Sequence, residues 1–190
     1  MSWRADFDFS RQHENVAHAC TALRRLLREP GAVIEPADPQ LDYAGADYVV
    51  TLPGGLTLLV DEKRRRAGCS RYWRRGPELF LERWCIRPGP GHRGVPGWTL
   101  QADALTDFVL FTFDPADTPA AFLVPFHLLR LAMERHADQW AHAYGQREQH
   151  QAPDGGPPKV SVSVPVPWAA VRDAIGDAMA TSPINLEPRP

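Results

Sequence analysis

No apolar run in this sequence approaches the ~20 residues needed to cross a bilayer, and the opening segment MSWRADFDFSRQ lacks the apolar core of a secretory signal. A cytoplasmic protein with no membrane partner is expected. Cysteine is scarce: Cys20, Cys69 and Cys85 are odd in number, far apart and form no C-x-x-C pair, which argues against a disulfide framework and a structural zinc site. The histidines do not supply one either. His13 and His18 are five apart and His136 and His142 six, so neither pair meets on one helical face at i, i+4. There is no internal repeat and no low-complexity tract. What remains is 190 residues at 44% hydrophobic and 23% charged, ordinary values for one soluble globular domain with a substantial core.

Charge is nearly balanced overall, at −2, but it is unevenly distributed. The segment KRRRAGCSRYWRR, from Lys63 to Arg75, carries seven basic residues and no acidic one, leaving 14 basic against 23 acidic residues elsewhere. Most of the surface should therefore repel a polyanion, and any nucleic-acid contact should concentrate here, on Arg64, Arg65, Arg66, Arg71, Arg74 and Arg75, with Trp73 stacking on bases. The plain alternatives are a solvated basic loop without a ligand, and loop aromatics that anchor it to the core.

The spacing of Val16, Cys20, Leu23 and Leu27 predicts an amphipathic helix over 10–28, N-capped by Ser10 and stopped by Pro30 and Gly31. AVIE at 32–35 reads as a short strand, and PADPQLDYAGA as a loop. DYVVTL and LTLLVDEK flank PGG, a hairpin signature. ELFLERWCI reads as a third strand of the same sheet, RPGPGHRGVPG as an irregular excursion, and DFVLFTFD with AAFLVPF as a strand pair leading into a helix from about His127 to Tyr144. Residues 145–158 read as a flexible polar connection. The strand KVSVSVPV and helix WAAVRDAIGDAMA, within 159–181, are too short to bury a core alone and should pack on the main sheet.

Within the hairpin, alternation puts Leu56, Leu58, Val60 and Glu62 on one face and Thr57, Leu59, Asp61 and Lys63 on the other. Asp47 opens the partner strand, at the end of the hairpin away from the PGG turn. Two carboxylates and an ammonium on one edge suit a hard divalent ion with a basic group beside it. Asp42 could substitute as a ligand if its loop folds inward. Glu82 stands either near the site or paired with Arg64 or Arg65, and Asp107 caps or solvates a strand start.

Asp47, a hairpin of hydrophobic strands and then Asp61-Glu62-Lys63 resemble the signature of the PD-(D/E)XK nuclease superfamily. The spacing is similar to that of archaeal Holliday-junction resolvases, while the later strands and helix look more like phage or plasmid nucleases of the superfamily. The resemblance covers about residues 10–135 and rests on topology and four positions, with Ala46 where the motif has proline. It implies a restriction-endonuclease-like fold: a central mixed sheet flanked by helices in α-β-β-β-α-β order, one domain over 1–190, its core about 10–144, with a C-terminal strand-helix extension. It implies Asp47 and Asp61 as ligands of Mg²⁺ or Mn²⁺ and Lys63 as the catalytic lysine. Glu14 falls where many members carry a further acidic ligand, though a surface glutamate on an amphipathic helix reads equally well.

The function expected is thus a metal-dependent nuclease hydrolysing phosphodiester bonds, most simply a DNA endonuclease, with a homodimer allowed. The alternatives are a catalytically inactive nuclease-fold module binding nucleic acid or protein, and an antibacterial nuclease toxin.

Overall fold

The structure, a computed structural model, describes residues 13–65, 68–73, 76–89, 91, 93–114, 120–151 and 159–181. Ser10, expected as a helix cap, lies outside them, as do Arg66, Arg74 and Arg75. The protein is α/β, with a mixed sheet and flanking helices. It divides into two compact units, one within Met1–Arg74 and Ala102–His127, the other within Arg75–Gln101 and Leu128–Pro190.

The first unit begins with α1 (His13–Leu27), followed by β1 (Val33–Pro36), the short helix α2 (Pro39–Tyr43), β2 (Tyr48–Thr51) and β3 (Thr57–Arg65). After a 3₁₀ turn at Ser70–Tyr72, the chain returns to this unit as β6 (Phe108–Phe113) and β7 (Ala121–Pro125). Among the described residues these strands form a five-stranded sheet in the order β1-β2-β3-β6-β7. Every pairing is antiparallel except β3 with β6, which is parallel. The expected hairpin is present: Leu52 and Leu56 close the turn, and Gly55 takes φ +83°, a left-handed conformation that glycine adopts without a Cβ clash.

Alternation along β3 sorts the two faces of this sheet. Val60 lies beside Phe108 and Glu62 beside Leu110, and this row faces α1, whose Ala19, Ala22 and Leu23 form a buried cluster with Ala32, Tyr48, Val50, Val60 and Leu110. The helical stripe read from the sequence is therefore the buried side of α1. Asp61, Lys63 and Arg65 lie beside Val109, Phe111 and Phe113 on the opposite face. The segment 36–46, expected as a loop, contains α2, because Asp38 caps Gln40 and Leu41 through its carboxylate and Pro39 fits the first helical turn.

The second unit contains β4 (Glu78–Ile86), β5 (Val95–Pro96), a 3₁₀ turn at Trp98–Leu100, most of α3 (Phe126–Tyr144), β8 (Arg147–Gln151), β9 (Lys159–Pro167) and α4 (Trp168–Thr181). Its four strands are ordered β5-β4-β9-β8, with antiparallel pairings. One expectation is corrected here. ELFLERWCI is not a strand of the hairpin's sheet; as β4 it pairs with KVSVSVPV, which is β9, in a sheet of its own. The physical reason is complementarity of rows: Leu79 and Leu81 lie opposite Val166 and Val164, and all four are buried. The polar connection also contains β8, whose Arg147–Gln151 pairs with β9.

Glu82 belongs to this second unit. Its carboxylate accepts the Trp98 N–H at 3.1 Å and its carbonyl accepts the Thr99 hydroxyl, beside a register shift in β4. Gly97 is needed there, since a Cβ at that position would lie 2.2 Å from the Glu82 carbonyl oxygen. Among the described residues, no helix is long and apolar enough to cross a membrane.

Candidate functional site

The site forms where β2 and β3 part. Their pairing runs from Thr51↔Thr57 to Tyr48↔Val60, and Asp47 still donates its N–H to the Val60 carbonyl at 2.9 Å. Two residues further along β3, the Glu62 N–H leaves the backbone ladder. It donates instead to Asp47 Oδ2 at 2.6 Å. The Asp47 backbone is turned away at this point, its carbonyl accepting the Ala37 N–H at 2.8 Å. The side chain of Asp47 thus completes the ladder at the notch, which brings its carboxylate beside Asp61.

Asp61 is buried, at 8% exposure, and Lys63 reaches back to it along the same strand face. The Lys63 Nζ lies 2.7 Å from Oδ2 and 2.8 Å from Oδ1. Asp47 is pushed up to about 7, first by burial and then by the Asp61 carboxylate, against the opposing pull of Lys63 and the Glu62 N–H. A divalent cation beside Asp47 would relieve both its burial and the repulsion from the Asp61 carboxylate. The donor set fits Mg²⁺ or Mn²⁺: hard oxygens, two carboxylates, and an ion that keeps much of its water when bound by so few protein ligands.

The expected residues Asp47, Asp61 and Lys63 are therefore brought together. Glu14 lies in the first turn of α1, and its side chain is outside the described residues. Among the described residues no group of three or more His, Cys, Asp and Glu gathers, so neither Asp42, which sits on α2, nor Glu82 adds a third ligand to the pair. Asp107 does what its position at a strand start suggests: its Oδ2 accepts the Leu59 N–H at 2.8 Å, tying β6 to β3.

The basic run is not one loop. Strand β3 continues through Arg65. Arg64 points to the α1 face, where its Nε and NH1 are buried, and burial brings Arg65 down to about 10. Arg71 is exposed on the 3₁₀ turn. Trp73 meets the buried Phe113 edge-on, with ring centroids 5.2 Å apart, so it anchors the segment rather than presenting a free stacking face.

One group passed over in the sequence is Glu62. Alternation placed it outside the site, and its side chain is indeed on the far face. There its Oε2 accepts the Tyr48 hydroxyl at 3.0 Å and its Oε1 accepts the Thr112 hydroxyl. Burial and this carboxylate push the Tyr48 phenol up. The available signal was a row of polar groups, Tyr48, Glu62, Arg64 and Thr112, on the strand face that otherwise carries Val50, Val60 and Leu110.

No protein-family model, curated protein or solved structure matches this chain.

Proposed function

We propose that this chain is a metal-dependent nuclease that hydrolyses phosphodiester bonds, with DNA as the substrate. The observation that carries the reading is the Asp47–Asp61 carboxylate pair, partly buried where two strands part, with Lys63 on the same edge. The PD-(D/E)XK resemblance of these positions supports it. Asp47 and Asp61 would hold the divalent ion. When bound, that ion polarises the scissile phosphate and lowers the pKa of an attacking water. Lys63 then turns from Asp61 toward the phosphoryl group and stabilises the negative charge that builds on its oxygens. Arg71 supplies salt-sensitive attraction to the phosphate backbone without reading bases.

The test is cleavage of plasmid, linear and branched DNA and of RNA, each with Mg²⁺ and with EDTA. Metal-dependent cutting of DNA is the expected result; no cutting of any of the four would end the reading. One observation favours a second reading, a catalytically inactive binding module on the same fold. The Lys63 ammonium already engages both oxygens of Asp61. Binding of DNA without Mn²⁺ uptake or cleavage would select that alternative.

A further inference from the structure

We propose that Glu62 is the positioning residue of the Asp47–Asp61 pair: its carboxylate is clamped on the far face of the sheet by Tyr48 and Thr112, so that its own backbone N–H holds Asp47 in place. This rests on the reading of that pair as the metal ligands.

The clamp spans the three central strands of the first unit. Tyr48 comes from β2, Glu62 from β3 and Thr112 from β6, and the two hydroxyls take one carboxylate oxygen each. Tyr48 is 4% exposed and Thr112 is fully buried. The partly buried carboxylate therefore lies on the helix-covered face of the sheet, which on β3 it shares with Leu58, Val60 and Arg64. An apolar side chain would occupy such a place without the desolvation cost of a charge, which two hydroxyl donors offset only in part. The carboxylate is a costly choice for packing alone.

What the cost secures is visible one bond away. The β2–β3 register ends at Tyr48↔Val60, with one more bond from the Asp47 N–H to the Val60 carbonyl, and beyond it the backbone of β3 is paired only with β6. A side chain tied to both flanking strands adds to the β6 ladder in holding the backbone of residue 62, and with it the N–H that Asp47 accepts at 2.6 Å. That N–H belongs to the peptide joining Asp61 to Glu62, and residue 62 itself links Asp61 to Lys63. A slack residue 62 would release the orientation of Asp47 and loosen both residues next to it in the chain. This is the relation in which an outer partner holds a ligand group, whose loss costs roughly 10–100-fold in metal affinity in known sites.

The experiment compares Thr112→Val, which keeps shape and removes the donor, with Thr112→Ser, which keeps the donor, and adds Tyr48→Phe. Two quantities are read: Mn²⁺ affinity by calorimetry, and the amide proton shift of residue 62 by NMR, downfield in the wild type because its hydrogen bond is short. We expect Thr112→Val and Tyr48→Phe each to weaken Mn²⁺ binding roughly tenfold and to move that amide upfield, with Thr112→Ser restoring both. Wild-type Mn²⁺ affinity and an unmoved amide in Thr112→Val and Tyr48→Phe would overturn the proposal. So would a fall in melting temperature alone, which would mark a brace with no role at the site. If the wild type takes up no Mn²⁺, the nuclease reading fails by itself, and the amide shift alone decides the clamp.

Discussion

The Lys63 ammonium bridges both oxygens of Asp61, at 2.7 and 2.8 Å, so the lysine already neutralises that carboxylate. On the proposed reading, Asp61 would be neutralised by a divalent ion held with Asp47, and Lys63 would be left to the phosphate. Asp61→Asn keeps the shape and loses the charge, so Mn²⁺ affinity and turnover should fall together. Lys63→Ala removes a competitor for Asp61, so Mn²⁺ should still bind while turnover drops about 10²-fold or more, the scale of one lost electrostatic contact. Calorimetric titration beside single-turnover cleavage measures both. A Lys63→Ala protein cutting at the wild-type rate would remove the lysine from the mechanism.

Asp47 gives the metal-free protein a pH dependence of stability with a definite sign. Its carboxyl titrates near 7 in the folded chain against an ordinary 3.8. Between those values the folded state holds a proton that the unfolded state has released. The stabilisation is fully present below about pH 4 and is lost as pH rises through about 7. In EDTA, Asp47→Asn should melt higher than the wild type at pH 8 and lose most of that advantage at pH 4. Thermal melts across this range check it; parallel Tm curves for the two proteins would show that Asp47 is not the strained group.

The arginines should divide by burial rather than by their neighbourhood in sequence. Replacing the exposed Arg71 with Ala should weaken DNA binding uniformly across sequences and reduce the log–log salt slope by about 1. Arg65→Ala should instead lower the melting temperature, since its side chain is largely buried. Binding titrations at several salt concentrations distinguish the two; an unchanged slope in Arg71→Ala would take that residue out of the docking surface.

Two glycines should respond oppositely to the same methyl group. Gly97→Ala places a Cβ 2.2 Å from the Glu82 carbonyl, and overpacking of this kind costs about 1–3 kcal/mol. Gly176 lies within α4 with nothing within 4 Å of such a Cβ, so Gly176→Ala should stabilise by roughly 0.5–1 kcal/mol. Denaturant melts of both variants measure the difference, and a neutral Gly97→Ala would mean that β4 can move aside at Glu82.

Local sequence carried the hairpin well. Asp47, Asp61 and Lys63 meet because a glycine turn joins two alternating strands, and alternation alone orients three side chains. Strand allocation was not legible, since β4 and β9 carry the same apolar alternation that would suit the other sheet. Only the match of Leu79 and Leu81 to Val166 and Val164 selects the partner. β8 was hidden for a different reason: RE and QHQ are polar on both faces, and its pairing comes from β9 rather than from its own pattern. α2 was readable in principle from Asp38-Pro39, a capping residue followed by a proline at the first helical position. The role of Glu62 was not, because Thr112 is far along the chain and no spacing rule links them.

The parallel pairing of β3 with β6 joins residues 48 apart, as between Leu59 and Asp107. On a ribosome, the whole carboxylate–lysine hairpin would emerge well before its parallel neighbour is synthesised. The nascent chain would then display β3 as an open edge, with the charged end of the hairpin discouraging illegitimate pairing. A chain truncated ahead of Phe108 would keep Asp47, Asp61 and Lys63 yet lack the strand that braces them. Possession of the motif and competence of the site would be separated in time during synthesis.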